Sequence, residues 1–131
     1  MQEEINMETL AVVVIENQYK QVLLIHKHGE WMLPGGLVLD EEPSWTLFRE
    51  VYEETGLEVI DFVMFIDQDF YIDKKQATYN FKFFSATYSG LEPPSISPWE
   101  KYKGLEEVRW FSRKTAEKLK LSEMTIVGLG N

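Results

Sequence analysis

The chain has 131 residues, of which 44% are hydrophobic, and a formal net charge of -9. This length predicts one domain, 1–131, with a sizeable core, and the absence of cysteine excludes a disulfide framework and a thiolate metal site. The negative charge argues against a DNA or RNA polymer as partner, because the sequence contains no basic run that would release counterions.

The first elements predicted along the chain form a β-hairpin. Residues 1–4 are acidic, and the first apolar run is far shorter than a signal peptide or a membrane span requires, so we expect a cytoplasmic protein without a membrane partner. The segments 11–15 and 21–26 are rich in β-branched and aliphatic residues, and the polar segment 16–20 separates them. Two such runs with a short polar connection predict paired strands.

A helix is predicted between Pro43 and Gly56. Proline suits a first helical turn, and glycine suits the left-handed residue that ends a helix. Four apolar residues recur on one side of this helix: Leu47, Phe48, Val51 and Tyr52. Three acidic residues fall on a face roughly opposite: Glu50, Glu53 and Glu54. Carboxylates stacked in this way repel one another unless a cation neutralises them.

The excess negative charge belongs to one region of the chain. Between 29 and 73 there are twelve acidic residues and one base, Arg49, whereas the remainder has ten acids and twelve bases. A solvated helix face usually mixes both signs of charge. Carboxylate oxygens are hard ligands that suit Mg²⁺ or Mn²⁺, and magnesium keeps positions open for water and phosphate oxygens. These residues predict metal-assisted chemistry on a phosphate group.

The spacing within 35–57 is more specific than the charge. Nine positions follow the pattern G-x5-E-x7-R-E-U-x-E-E-x-G-U, where U is aliphatic: Gly35, Glu41, Arg49, Glu50, Val51, Glu53, Glu54, Gly56 and Leu57. At average residue frequencies such a match arises by chance with a probability on the order of 10⁻⁷. The segment resembles the signature box of the Nudix (MutT-like) hydrolases, which hydrolyse nucleoside diphosphates linked to another moiety.

This resemblance implies an architecture and a class of ligand. It implies an α/β (α+β) chain folded as an α/β/α sandwich around a mixed β-sheet, with the box at 35–57. It also implies Mg²⁺ as the cofactor, with Mn²⁺ as the other candidate. The expected partner is a small nucleotide-type substrate, and the expected state is a monomer or a homodimer.

The resemblance also implies roles for individual residues. Glu50, Glu53 and Glu54 correspond to catalytic metal ligands, and the carbonyl of Gly35 or its neighbour is a further ligand. Arg49 corresponds to a supporting residue of the catalytic group, which we expect to pair with Glu53.

Other roles stay open between alternatives. Glu41 either braces the start of the helix or is simply a favourable acid near its positive end. The general base is either a box glutamate or a residue of a later loop. The loop candidates are Glu100, Glu106 and Glu107.

One feature departs from the usual family pattern. In most members a Pro-Gly-Gly sequence precedes the box, and the second glycine begins it. Here the spacing closes from the first glycine, Gly35, so the loop that follows is one residue shorter. Before the box, Lys27, with His26 or His28, occupies the place of a phosphate-contacting arginine in the family, although these residues also fit an ordinary solvated strand end.

The second half of the chain alternates strands with a loop and a last helix. We predict one or two strands in 58–71, a strand at 78–88, a loop at 90–104 that covers the substrate, a strand at 105–111 and a helix at 114–121 with Ser112 as its cap. Within the loop, Trp99 is the aromatic residue best suited to stack on a base.

The substrate is assigned by elimination. Subgroups specific for ADP-ribose or dinucleoside polyphosphates carry a marker proline or tyrosine after the box, and 72–75 contains neither. The chain therefore most resembles the nucleoside triphosphate pyrophosphohydrolases. The alternatives are a Nudix hydrolase of ADP-ribose, sugar nucleotides or dinucleoside polyphosphates, and a non-catalytic nucleotide-binding module. That last class commonly loses box glutamates, and this chain keeps all four.

Overall fold

A computed structural model describes residues 7–130, so the expectation drawn from residues 1–4 lies outside the described part. The elements within it are β1 Thr9–Asn17, β2 Gln21–Lys27, β3 Glu30–Met32, β4 Gly35–Leu37, α1 Pro43–Thr55, β5 Val63–Ile72, β6 Ala77–Tyr88, α2 Pro98–Tyr102, β7 Leu105–Ser112, α3 Arg113–Ala116 and α4 Glu123–Leu129. None of the helices described is long and apolar enough to cross a membrane.

The seven strands form one mixed sheet. Its main order is β3-β2-β1-β6-β5, with β4 paired to β1 and β7 paired to β2. β1 and β6 run parallel, whereas the other pairs are antiparallel. The predicted hairpin is present, because β1 pairs antiparallel with β2.

Helices cover both faces of this sheet. Along β1, Ala11 and Val13 point into a core that contains Leu47 and Val51 of α1. Val14 points the other way, into a core that α3 and α4 cover. Alternation of side chains along one strand therefore supplies both cores. The α/β/α sandwich expected from the resemblance is confirmed.

The helix predicted between Pro43 and Gly56 is confirmed in its limits, but its buried face differs from the prediction. α1 ends at Gly56, which adopts the left-handed conformation with φ 75°. Leu47 and Val51 are buried as expected, but Tyr52 is exposed and Glu54 is buried. The buried positions follow i, i+4 and i+7 from residue 47. The helix is thus rotated so that the last glutamate of the box turns inward.

Three predictions for the second half need correction. The segment 58–71 contributes one strand, which begins only at Val63. The predicted loop 90–104 contains α2, capped by the side chain of Ser97. The last predicted helix spans only four residues, α3, although Ser112 caps it as expected.

α3 is shorter than the helix predicted at 114–121 because the chain that follows it contacts β3. Trp31 donates its backbone N–H to the carbonyl of Lys120, and its own carbonyl accepts from the N–H of Ser122. These bonds hold 120–122 in an extended bridge, so the chain cannot continue as a helix. A new helix, α4, begins after Ser122, which caps it.

Candidate functional site

Gly35 and Gly36 of β4 allow the sheet to pack closely against the glutamates of α1. The Gly35 N–H donates a 3.0 Å hydrogen bond to Oε1 of Glu54. A Cβ atom on Gly35 would overlap the backbone carbonyl of Ala11, and one on Gly36 would lie 2.8 Å from Cδ of Glu50. The first glycine therefore allows β4 to pack against β1. The second leaves room for a carboxylate.

The two glutamates nearest these glycines occupy a poorly solvated environment. Glu54 is only 8% exposed. Burial raises the pKa of its carboxyl to about 8, and the negative charge of Glu50 adds to the rise, whereas the Gly35 N–H opposes it. The pKa of Glu50 is also raised, first by burial and then by the charge of Glu53. Without a cation, protonation lowers the cost of burying these groups.

Arg49 connects the loop before α1 to the glutamates on the helix. Its guanidinium lies 2.6 Å from Oε1 of Glu41 and 3.0 Å from Oε1 of Glu50, but 3.7 Å from Oε2 of Glu53. The predicted pair with Glu53 is therefore the longest of the three. Glu41 also accepts a 2.8 Å hydrogen bond from Thr46. These contacts lower the pKa of Glu41, Arg49 first and Thr46 second, and they favour the bracing role for this residue.

A cleft of about 540 Å³ opens beside Glu54. Most of its lining is apolar, and Lys27 contributes a cation near the glutamate. The apolar side chains come from the sheet and from α4: Leu10, Val12, Ile25, Met32, Leu33, Leu37, Ile72, Tyr79, Phe81 and Met124. The sequence did not predict this apolar lining, because alternating aromatic residues on β6 also fit a buried core. We find no local signal that would have assigned Met124 to it.

The short helix α2 contributes a second group of residues near α1. Glu100 is 4% exposed, and its charge acts on the carboxyl of Glu54. Lys103 lies 3.1 Å from Oε2 of Glu100. Trp99 is largely exposed and stacks on Tyr102, with ring centroids 5.6 Å apart. Lys103 is the residue of this group that sequence reasoning missed.

Of the predicted site residues, the lining of the cleft includes Lys27, Gly35 and Glu54, and His28, Glu106 and Glu107 are among those outside it. His28 lies in the exposed turn after β2, with a positive φ of 54°. Glu106 lies 3.5 Å from His26, and Glu107 pairs with Arg109 on β7. Of the loop candidates for general base, Glu100 is thus the one whose charge acts on Glu54.

A family model, described as the NUDIX domain, matches residues 6–125. The chain belongs to the Nudix family. Its fold agrees with that of solved Nudix structures. The NUDIX domain of Shewanella oneidensis NrtR, solved with ADP ribose, superimposes with a TM-score of 0.82 at 16% identity, over 97% of this chain and 86% of that one. The Escherichia coli dihydroneopterin triphosphate pyrophosphohydrolase gives 0.75 at 16% identity, over 92% and 91%.

Curated relatives of the Nudix chain match over a shorter segment. A CMP-5'-(N-acetyl-N-hydroxy-3-aminopropyl)phosphonate hydrolase of Streptomyces rubellomurinus is 40% identical over 53 residues, which is 35% of this chain and 26% of that protein. Across the curated relatives the match spans between 26% and 32% of their length.

The Nudix site has the donor chemistry for a divalent cation but not a closed cage. Across residues 7–130, no three His, Cys, Asp or Glu side chains are grouped so that they could hold a metal ion. The donors near Gly36 are nevertheless carboxylate oxygens, the hard ligands that Mg²⁺ and Mn²⁺ prefer. The residues therefore fit a cation whose remaining coordination comes from water and phosphate oxygens.

Proposed function

We propose that this Nudix domain, taken as one unit over 1–131, hydrolyses a phosphoanhydride bond of nucleoside triphosphates and releases pyrophosphate. One observation carries the proposal. Glu54, which accepts from the Gly35 N–H, lines a largely apolar cleft together with Lys27, and Glu50 lies against Gly36 of the same lining. A largely apolar cavity that also receives charged side chains suits a nucleoside that carries phosphates.

In this proposal the glutamates of α1 hold the cation. Glu50, Glu53 and Glu54, with the Gly35 carbonyl, would bind Mg²⁺ or Mn²⁺. When bound, the ion offsets phosphate charge and lowers the pKa of a coordinated water. Arg49 positions Glu50 through their 3.0 Å contact.

The other residues bind the substrate and accept the proton. Lys27 faces the cleft and would contact a phosphate. Water forms a new bond to phosphorus while the anhydride P–O bond breaks, and its proton passes to a carboxylate. Glu100 is our candidate acceptor, because it is the loop candidate whose charge acts on Glu54, whereas Glu106 and Glu107 lie on β7.

ADP-ribose is the second candidate substrate. The NrtR domain from Shewanella, which superimposes at a TM-score of 0.82, was solved with that ligand. A cleft of about 540 Å³ also has room for an adenosine that carries a further group beyond its phosphates. In both cases the bond hydrolysed is a phosphoanhydride, so the two candidates differ in what lies beyond it.

The test is a substrate panel with a matched variant. Wild type is assayed with Mg²⁺ against nucleoside and deoxynucleoside triphosphates, oxidised deoxynucleoside triphosphates, ADP-ribose, sugar nucleotides and dinucleoside polyphosphates, and pyrophosphate and orthophosphate release are scored separately. We expect pyrophosphate from triphosphates, and a loss of at least about a hundredfold in kcat for Glu54→Gln. Glu58→Gln, an exposed acid just beyond α1, is the control.

Two results would contradict the proposal. Unchanged turnover in Glu54→Gln, with its fold intact by circular dichroism, would remove the metal-site assignment. Nucleotide binding by wild type without turnover of any compound would instead identify a non-catalytic Nudix module.

A further inference from the structure

Lys103 is a cation held in place beside the glutamates of α1. It follows α2 directly, and its Nζ lies 3.1 Å from Oε2 of the buried Glu100. The same ammonium group lies 5.9 Å from the centroid of the Trp99 ring. That distance is within the range of a cation–π contact. Two contacts from one short helix therefore fix the position of this head group.

The charge of Lys103 also affects the glutamates of α1. The pKa of Lys103 is raised, first by its hydrogen bond to Glu100 and further by the charges of Glu53 and Glu50. Lys103 in turn partly offsets the rise in the pKa of Glu50, whose main cause is burial. Lys103 is therefore within electrostatic range of both glutamates.

Lys103 is also open to a ligand. Its side chain is 42% exposed, whereas that of Glu100 is 6% exposed. An anion arriving from solvent therefore meets the lysine before it meets the buried carboxylate. The stretch of α1 that carries Glu50, Glu53 and Glu54 contains one base, Arg49, so this region repels an approaching polyphosphate. A lysine at the edge of that region is well placed to oppose it.

We propose that Lys103 binds the phosphates of the substrate, and that it exchanges its pairing with Glu100 for them when the substrate enters. The proposal rests on the function proposed above and adds a substrate-binding residue to it. A polyphosphate carries several anionic oxygens, so it competes well with a single carboxylate for one ammonium. The exchange leaves Glu100 without its counterion only while phosphate is bound. A structural reading differs, since Lys103 would then only neutralise Glu100.

The experiment measures binding of inorganic pyrophosphate, in the presence of Mg²⁺, by calorimetry. We expect Lys103→Met to weaken this binding by about tenfold to a hundredfold, the range for a lost charge-assisted hydrogen bond. Lys103→Arg should keep most of the affinity. Lys101→Met removes another exposed lysine from α2 and is the matched control, which should bind like wild type.

A second variant separates phosphate binding from a structural role. Lys103→Met leaves a buried carboxylate unpaired, whereas Lys103→Met combined with Glu100→Gln does not. We expect Glu100→Gln alone to tighten pyrophosphate binding, because Lys103 then has no carboxylate to release. In the Lys103→Met background, the same substitution should tighten this binding clearly less. If Lys103→Met and the double variant bind pyrophosphate as wild type does, or lose no more than Lys101→Met, the proposal is wrong.

The outcomes also distinguish this proposal from the proposed function. Normal turnover and KM in a folded Lys103→Met would overturn the role of Lys103 while leaving the hydrolase assignment intact. Pyrophosphate binding that depends on Lys103, in a protein that hydrolyses nothing, would retain the role of Lys103 and reject the assignment. Wild type that fails to bind pyrophosphate at all would overturn the role of Lys103.

Discussion

Glu54 is the residue whose environment most strongly affects ionisation and cation binding at the site. It is buried, it accepts one hydrogen bond from the Gly35 N–H, and its pKa is raised to about 8, chiefly by burial. At neutral pH the metal-free protein therefore holds a proton there. A cation that binds this carboxylate must displace the proton, which makes metal affinity depend on pH.

The raised pKa of Glu54 predicts how the stability of the metal-free protein changes with pH. Between the ordinary value of 4.5 and about 8 the native state binds more protons than the unfolded chain. The free energy of unfolding should therefore fall as pH rises through this window, by up to about 1.4 kcal/mol per pH unit, and level off above it. Urea unfolding in EDTA measures this slope.

Glu54→Gln is the matched variant for that measurement. It keeps an oxygen for the Gly35 N–H but cannot ionise, so most of the slope should disappear. A smaller slope of the same sign should remain, because the pKa of Glu50 is also raised. If the free energy of unfolding fell equally with rising pH in wild type and variant, Glu54 would not titrate in this range.

Gly36 should affect activity more than stability. Its Cβ would lie 2.8 Å from Cδ of Glu50, the end of a side chain that can move. Gly36→Ala should therefore displace the carboxylate and reduce turnover at least about tenfold, while the free energy of unfolding changes by about 1 kcal/mol or less. Activity assays and urea unfolding on the same preparation measure both quantities.

Gly35 provides the opposite comparison. Its Cβ would overlap backbone atoms of β1, which cannot move aside without separating the strands. Gly35→Ala should destabilise the fold by more than about 3 kcal/mol. Gly29→Ala is the control, because no atom lies within 4 Å of its Cβ and only its φ of 77° adds strain. Equal stability of the Gly35 and Gly29 variants would contradict this distinction.

At the scale of elements, α1 is positioned more by its first turn and its preceding loop than by its cap. The side chain of the N-cap residue, Glu42, makes no capping hydrogen bond to the described residues. Instead Glu41 accepts from Thr46 and Arg49, at 2.8 Å and 2.6 Å. These contacts connect the loop to the first and second turns of the helix, and they compensate for the missing cap.

The missing cap can be supplied by substitution. Glu42 already has the extended backbone of a cap residue, with φ -66° and ψ 137°. Glu42→Asp shortens the side chain so that it can accept from the first backbone N–H groups, and it keeps the charge. We expect the free energy of unfolding to rise by about 0.5–1 kcal/mol, with unchanged turnover. Glu42→Gln, which cannot cap in this way, should not stabilise the protein.

The parts of this fold that sequence predicts are those with local causes. α1 is bounded by Pro43 and Gly56 and carries a fixed spacing of glutamates, so its limits follow from the chain itself. Its rotation does not, because the burial of Glu54 depends on the Gly35 N–H of β4. Likewise Arg49 was expected to pair with Glu53, but the loop after β4 brings Glu41 closer.

The cleft could not be predicted because its walls come from distant parts of the chain. β1, β6 and α4 meet there only after the mixed sheet has formed. The helix α4 itself depends on the extended bridge between Trp31 and Leu121. A contact across ninety residues, such as Leu33 N–H to Thr125 Oγ1, leaves no periodic signal in either segment.

At the scale of the whole molecule, the net charge of -9 is a local property. A net excess of -11 between 29 and 73, twelve acids less one base, is set against +2 elsewhere, twelve bases less ten acids. Like charges gathered in one region of a compact chain lower its stability. A cation that binds among these acids should therefore stabilise the folded state as well as support the proposed hydrolysis.

Magnesium should therefore raise the thermal stability of the whole protein in a saturable way. A ligand that binds only the native state adds about 2.7 kcal/mol at a hundred times its Kd. Differential scanning calorimetry at a pH above 8, where Glu54 is ionised, should show the midpoint rising with MgCl₂. The rise should be larger than with NaCl of equal ionic strength, which only screens charge. Glu54→Gln should lose most of this difference while Glu58→Gln keeps it, because the stabilisation belongs to the site and not to acidity in general.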